Sequence, residues 1–169
     1  GKIKNRKLTV SDKYAALEKR FPKTDVNTQN EFYGNFNQLK LLKQKYPHLK
    51  TLISVGGWDG SGGFSLAAST EKNREKFSKS VLEFLEKYNF DGIDIDWEFP
   101  THGGKQPSYP KDKYNFTLLL ESLRKTLGDK YLITAALPAN RPSLNILELE
   151  KIGQIADWVN LMSYDFRGS

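Results

Sequence analysis

Four apolar, β-rich runs alternate with amphipathic helical runs from residue 31 to residue 169, and this alternation constrains the fold more than any other feature. It predicts an α/β protein with a parallel sheet, because parallel neighbours need right-handed crossover connections. Two architectures satisfy that pattern, a doubly wound sheet and a (β/α)8 barrel. The predicted strands are residues 50–55, 92–97, 131–137 and 158–164.

The runs between these strands repeat apolar residues every three or four positions, which predicts amphipathic helices. Ser69 or Thr70 is expected to cap the N-terminus of the first long helix. Shorter helices are expected before the first strand and within residues 145–155. The apolar positions of the two long helices are Phe77, Val81, Phe84, Leu85 and Tyr88, and Phe116, Leu119, Leu120, Leu123 and Leu127.

The length of the chain limits how much of a barrel it can form. A complete (β/α)8 barrel needs about 250 residues, whereas four strand–helix units occupy residues 31–169 of this chain. We therefore expect a partial barrel of about four parallel strands. Residues 1–30 contain no strand of similar strength and are predicted to form a loop or insertion, with a helix near residues 11–20.

The composition excludes several classes of function. The net charge is +6, but Lys is spread along the predicted helices and no segment interleaves Arg with aromatic residues, so nucleic acid is not an expected partner. No apolar run reaches the roughly 18 residues that span a bilayer, so no membrane partner is expected. The chain has no Cys and two His, so we expect no metal and no cofactor.

The second predicted strand carries acids at alternate positions. Side chains on a strand alternate between faces, so Asp94, Asp96 and Glu98 share one side, about 6–7 Å apart. Three carboxyl groups this close cannot all ionise cheaply when partly desolvated, so at least one proton should be retained. A retained proton is what a general acid needs. Glu98 follows the strand at its C-terminal end, where barrel enzymes build their sites.

Two other interpretations of these acids are open. They could face water on an edge strand. They could instead belong to a calcium-binding loop, although Ile95 and Trp97 are unsuited to such a loop and no Gly stands where its turn would need one.

Three motifs make the chain resemble the family 18 glycoside hydrolases, the chitinases. Residues 91–98 (DGIDIDWE) match the family's DxxDxDxE signature, residues 54–57 (SVGG) its SxGG element, and residues 162–165 (MSYD) its MxYD element. They occur in the family's order, each at the end of a predicted strand. The resemblance covers roughly residues 31–169 and implies the third to sixth strands of the family's barrel.

The resemblance also implies a retaining mechanism in which the substrate's own 2-acetamido oxygen attacks the anomeric carbon. In that mechanism Glu98 protonates the leaving oxygen and later activates water. Asp96 holds the acetamido N–H, and Asp94 shares a proton with Asp96. Contacts with the acetamido group and the distorted sugar are implied for Met162, Tyr164 and Asp165.

Other residues have expected roles in binding or packing. Ser54 is a candidate hydrogen-bond donor within the acidic cluster, and Trp58 a candidate aromatic platform for a sugar ring. Asp91 falls off the acidic face and is expected to be structural. Trp97 and Trp158 are expected in the core.

The expected function is hydrolysis of chitin or chito-oligosaccharides. An endo-β-N-acetylglucosaminidase acting on N-glycans and a non-catalytic chitin-binding lectin are the alternatives; such lectins usually replace the residue at the position of Glu98. The resemblance implies a secreted protein. Because half a barrel would leave two sheet edges unpaired, we also expect self-association through those edges and little activity from this chain alone.

Overall fold

The computed structural model describes residues 1–25, 31–100 and 104–164. Its centre is a four-stranded sheet in which neighbouring strands are parallel and follow the order of the chain. The four predicted strands are confirmed, with ends that differ by at most two residues. In chain order the strands are β1 (Lys2–Lys4), β2 (Lys7–Thr9), β3 (Leu52–Gly56), β4 (Gly92–Asp96), β5 (Leu132–Pro138) and β6 (Trp158–Met162).

The helices predicted between residues 31 and 155 are also present. Thr70 caps the first long helix, since its hydroxyl accepts a hydrogen bond from the Asn73 N–H at 3.2 Å, while Ser69 Oγ donates to the Leu66 carbonyl instead. The described helices are α1 (Gly34–Lys45), α2 (Phe64–Ala68), α3 (Glu71–Tyr88), α4 (Asp112–Leu127), α5 (Arg141–Leu144) and α6 (Leu149–Ile155).

The core lies between one face of the sheet and the long helices. The apolar side chains of β4 and β5 on this face, including Ile93, Ile95 and Ile133, are fully buried. Trp97 is 3% exposed and stacks on Phe64 at 5.2 Å between ring centroids, which confirms its place in the core. A doubly wound sheet would bury both faces under helices, whereas here the opposite face carries accessible polar residues. This one-sided covering is the arrangement of a barrel segment.

Residues 1–30 contain a hairpin that the sequence did not predict. β1 and β2 pair antiparallel, with Asn5 and Arg6 in the turn at φ 54° and 60°, as a type I′ turn requires. The hairpin is anchored by the Leu8 N–H, which donates to Ser80 Oγ on α3 at 2.9 Å. Three-residue strands rich in Lys fall below what an apolar pattern can detect. The helix expected near residues 11–20 is a single π-helical turn, Tyr14–Glu18.

The two ends of the parallel sheet differ. Gly1 covers part of the β3 edge: its amino group donates to the Ser54 carbonyl at 2.7 Å, and the Gly56 N–H donates to the Gly1 carbonyl at 3.3 Å. β6 forms the other end, and Trp158 is 47% exposed there. The prediction that Trp158 belongs to the core is wrong, because the register places Trp158 beside Thr134, on the face of the sheet opposite the helices. Among the described helices, none has both the length and the apolar character needed to cross a membrane.

Candidate active site

Three carboxyl side chains project from the open face of the sheet. Asp94, Asp96 and Glu98 are each partly accessible, whereas the alternating Ile93 and Ile95 are fully buried on the helix side. The predicted arrangement is therefore present. β4 pairs with a strand on each side, so the interpretation as a solvated edge strand is wrong. Within the described residues, no group of three or more His, Cys, Asp or Glu side chains is arranged to hold a metal ion.

Asp94 is the centre of a hydrogen-bond cluster that joins all four strands. Ser54 Oγ on β3 donates to Asp94 Oδ2 at 2.9 Å, as the sequence suggested. Asp94 Oδ1 accepts two further hydrogen bonds, from Thr134 Oγ1 on β5 at 2.6 Å and from Asn160 Nδ2 on β6 at 3.0 Å. Sequence reasoning missed Thr134 and Asn160. Both are polar residues within apolar strands, which the sequence shows. Only the strand register, which aligns Ser54, Asp94 and Thr134, indicates that such residues contact the acids.

Asp96 is held in a different environment from Asp94. Burial raises the pKa of Asp96 to about 6, and repulsion from the carboxyl groups of Glu98 and Asp94 adds to this effect. Its Oδ1 atom is buried and has no hydrogen-bond partner among the described residues. A carboxyl group in this state exchanges its proton near neutral pH, so Asp96 is suited to change protonation during a reaction.

The turn after β3 comes very close to the backbone of Asp96. Gly56 has φ +116°, and a Cβ atom there would lie 2.0 Å from the Asp96 carbonyl oxygen. The Gly57 N–H donates to that same oxygen at 2.8 Å. Glycine at position 56 is therefore required by both its backbone angle and the space available.

Glu98 opens into a cleft of about 330 Å³ at the C-terminal end of the sheet. Trp58 and Tyr164 also line this cleft, and they are 49% and 63% exposed. Broad aromatic surfaces beside a carboxyl group are suited to stack on a sugar ring and orient it. The complete lining is Trp58, Glu98, Phe99, Pro138, Ala139, Asn140, Met162 and Tyr164.

The structure thus brings together four predicted site residues, Trp58, Glu98, Met162 and Tyr164, in one cleft. Pro138, Ala139 and Asn140 were not predicted, because nothing in the sequence marks the residues after β5 as functional. Asp165 lies outside the described residues, so its expected contact with the sugar stays a prediction.

Asp91, at the start of the acidic motif, has a structural role, as predicted. Its carboxylate pairs with Lys43 at 2.7 Å and accepts the Thr51 N–H at 2.8 Å. Burial raises the pKa of Asp91, but Lys43, the Thr51 N–H and Lys50 together outweigh burial and leave that pKa below its ordinary value. Asp91 therefore ties the N-terminal ends of β3 and β4 together, at the end of the sheet away from Glu98.

A larger cavity of about 650 Å³ lies elsewhere, between α2 and the start of α4. The acid in its lining is Asp112, which is buried and accepts hydrogen bonds from Ser65 Oγ at 2.6 Å and the Tyr109 N–H at 2.9 Å. Its remaining lining is largely apolar, with Leu66 and Tyr109 exposed. Because Asp112 is already satisfied by local donors, we place the chemistry at the smaller cleft that contains Glu98.

Known proteins share both the sequence and the fold. The family Glycosyl hydrolases family 18 matches residues 2–169, so the match also includes the hairpin. Chitinase A1 of Niallia circulans is 50% identical over 145 residues, which cover 80% of this chain and 21% of that protein. Endochitinase 1 of Metarhizium robertsii is 36% identical over 168 residues, which cover 94% of this chain and 38% of that protein.

Among solved structures, chitinase ChiA74 from Bacillus thuringiensis superposes with a TM-score of 0.89 and 43% identity. The superposition covers 98% of this chain and 28% of that one. The chain therefore spans between about a fifth and two fifths of the length of these relatives. Its parallel sheet with flanking helices is part of a (β/α)8 barrel. The chain belongs to family 18 of the glycosyl hydrolases.

Proposed function

We propose that this chain carries the catalytic centre for hydrolysis of chitin, the β-1,4-linked polymer of N-acetylglucosamine. The observation that supports this most is the row of Asp94, Asp96 and Glu98 on the open face of β4, ending in a cleft lined by aromatic residues. Two chitinases named among its relatives are 50% and 36% identical to it.

In the proposed mechanism the nucleophile belongs to the substrate. The 2-acetamido oxygen attacks the anomeric carbon as the glycosidic bond breaks, which gives a cyclic oxazolinium ion and retains configuration after hydrolysis. Glu98 donates a proton to the leaving oxygen, then removes a proton from the water that opens the ring. The protein thus supplies one acid/base group rather than a separate nucleophile.

Asp96 and Asp94 support the positive charge that develops on the substrate. Ionised Asp96 accepts the acetamido N–H and stabilises the oxazolinium ion; the pKa of about 6 allows this group to take up and release a proton during the cycle. Asp94 is fixed by Ser54, Thr134 and Asn160, so its carboxylate stays in place beside Asp96. We expect Asp94 to take a share of the proton when Asp96 ionises.

The sugar is bound by the cleft around Glu98. Trp58 offers an exposed indole face, Tyr164 an exposed phenol and Met162 an apolar contact for the distorted ring. Asp165 is proposed as a further contact, from its position in the MxYD motif. Chitin is an insoluble polymer that cannot enter a cell intact, so the proposed place of action is outside the cell.

The presence of Glu98 favours a hydrolase over the lectin alternative, because a lectin has no use for an acid at the leaving oxygen. The test is Glu98→Gln in the full-length gene product, with chitotetraose as substrate. We expect turnover to fall about 10²–10⁴-fold while chitotetraose binding, measured by calorimetry, is retained. Glu83→Gln on the exposed surface of α3 is the matched control and should leave turnover unchanged.

The substrate tests the mechanism independently. Cellotetraose has the same linkage without the 2-acetamido group, so it should not be cleaved. Hydrolysis of cellotetraose at a comparable rate would contradict substrate assistance, and full turnover by Glu98→Gln would contradict the assignment of the acid. Release of N-glycans in preference to chitotetraose cleavage would favour the endo-β-N-acetylglucosaminidase alternative.

A further inference from the structure

The hydroxyl group of Ser61 lies where β3 and β4 stop pairing. The register pairs Gly56 with Asp96, and the Gly57 N–H donates to the Asp96 carbonyl at 2.8 Å. In a regular parallel ladder the next hydrogen bond would run from the Glu98 N–H to the Gly57 carbonyl. Instead, Ser61 Oγ accepts from the Glu98 N–H at 2.9 Å and donates to the Gly57 carbonyl at 2.8 Å.

The inserted hydroxyl changes what holds Glu98. One oxygen atom replaces a direct backbone hydrogen bond, so the backbone of Glu98 is kept farther from β3 than a continued ladder would place it. Ser61 Oγ also lies 3.1 Å from the Asp96 carbonyl, which links it to the second acid of the row. Ser61 is 2% exposed, so bulk water has little access to this contact.

We propose that Ser61 is a positioning residue for Glu98, whose hydroxyl group sets the point from which the catalytic acid leaves the sheet. This inference rests on the function proposed above. Ser61 does not line the cleft and acts on the reaction through Glu98. Ser61 begins the 3₁₀ turn Ser61–Gly63 and is followed directly by Gly62 and Gly63. This turn brings the chain back beneath the end of β4.

The expected consequence is a loss of rate rather than of binding. Removing the hydroxyl group either leaves the Glu98 N–H without its partner or lets the ladder close directly, and both move the acid. A displacement of about 1 Å at a reacting group can cost about 10²-fold in rate. Ser61→Ala should therefore lower kcat about 10–100-fold with KM nearly unchanged, because the cleft that binds the sugar is intact.

The first measurement compares Ser61→Ala with Ser65→Ala in the full-length gene product, using chitotetraose. Ser65 is the matched control, since its hydroxyl group also makes a partly buried hydrogen bond, to Asp112, four residues along the same segment. We expect Ser65→Ala to keep kcat while changing thermal stability to a similar extent. A kcat for Ser61→Ala equal to that of Ser65→Ala overturns the proposal.

The second measurement asks whether Ser61 acts through Glu98. In a Glu98→Gln background, Ser61→Ala should cause no further loss of the residual turnover, because the group that it positions is already disabled. An additional loss as large as in the wild-type background would show an independent effect and overturn the proposal. Full turnover by Glu98→Gln alone would overturn the proposed function, and this inference with it.

A third variant separates positioning from folding. Ser61→Gly leaves room for a water molecule at the position of the hydroxyl group, so it should recover part of the turnover lost in Ser61→Ala. If both variants are unfolded at the assay temperature, Ser61 holds the fold rather than the acid, and the proposal is wrong.

Discussion

Replacing Asp96 with Asn should stabilise the chain at neutral pH while disabling its proposed chemistry. Burial, with repulsion from Glu98 and Asp94, raises the pKa of Asp96 from 3.8 to about 6. Above pH 6 the folded chain must therefore hold a charge that the unfolded chain would solvate at lower cost. Asn has nearly the same shape and carries no charge, so Asp96→Asn removes this cost.

The size and sign of the effect follow from the two pKa values. The interval between 3.8 and about 6 corresponds to at most about 3 kcal/mol. Because Asp96 is only partly buried, solvent screens the interaction, and we expect about 1–2 kcal/mol. Between pH 4 and pH 6 the unfolded state releases the proton while the folded state keeps it, so wild-type stability falls as pH rises. The free energy of unfolding of Asp96→Asn should equal that of wild type at pH 4 and exceed it by the full amount above pH 6.

Urea unfolding of wild type and variant at pH 4, 5, 6, 7 and 8 measures this directly, because titrating groups that do not interact with Asp96 cancel in the difference. The difference therefore reports the burial of Asp96 together with its repulsion from Glu98 and Asp94. Asp91→Asn is the control of opposite sign. The pKa of Asp91 is lowered in the folded chain, so the Asp91 carboxylate stabilises the fold above pH 3.8. This stabilisation is lost as the pH falls through the lower pKa of the folded state. A difference for Asp96→Asn that does not vary with pH, or one that destabilises at pH 8, would refute the reasoning.

Three further outcomes are expected. Thr134→Val should lower kcat on chitotetraose without a matching rise in KM, because it removes the 2.6 Å donor to Asp94 from beneath the substrate; an unchanged kcat would contradict this. Trp58→Ala should raise KM more than it lowers kcat in steady-state kinetics, as expected for loss of a stacking surface. An unchanged KM would show that Trp58 only packs against its neighbours. The chain should self-associate in sedimentation experiments, because β6 is an end strand of the sheet. Leu161→Lys, at an exposed position of β6, should shift the chain toward monomer. A wild-type chain that is monomeric at all concentrations would exclude the β6 edge as an interface.

The parallel sheet and its acid row could be predicted because both follow from short-range patterns. Alternation along β4 is a property of any strand, so the shared face of Asp94, Asp96 and Glu98 needs no tertiary information. The buried faces of α3 and α4 likewise follow from the 3.6-residue period. Strand order required only the rule that consecutive parallel strands lie side by side.

The supports of the acids could not be predicted, because they depend on contacts between distant parts of the chain. Thr134 and Asn160 reach Asp94 from 40 and 66 residues away. Ser61 reaches the Glu98 N–H from 37 residues away, and nothing in its local sequence distinguishes it from other loop serines. The exposure of Trp158 could not be predicted either, because the apolar pattern of β6 does not show which of its two faces the helices cover.

Carboxyl groups at the two ends of the parallel strands have pKa values shifted in opposite directions. The acids at the N-terminal end stabilise the fold, and the raised pKa belongs to the end with the proposed function. At the N-terminal end, Asp91 accepts the Thr51 N–H and Asp157 accepts the Ile133 N–H, each beside a cation, Lys43 or Arg124. Burial raises the pKa of Asp157, as it does that of Asp91, but the Ile133 N–H and Arg124 outweigh it and leave that pKa lowered, so both acids stabilise the fold at neutral pH.

At the C-terminal end, β4 carries Asp96 with a raised pKa and a buried oxygen that has no partner among the described residues, which costs stability. Side chains on the other face of the same strand offset that cost, because burying Ile93 and Ile95 contributes roughly 1.5–3 kcal/mol each. Asp96 destabilises the fold although the opposite face of its strand is fully packed. Folding alone therefore does not explain an acid at this position. The destabilised end of the sheet is also the end that opens into the cleft. The cost of Asp96 to stability and its proposed chemistry therefore have the same origin, a partly buried carboxyl group whose Oδ1 atom has no hydrogen-bond partner among the described residues.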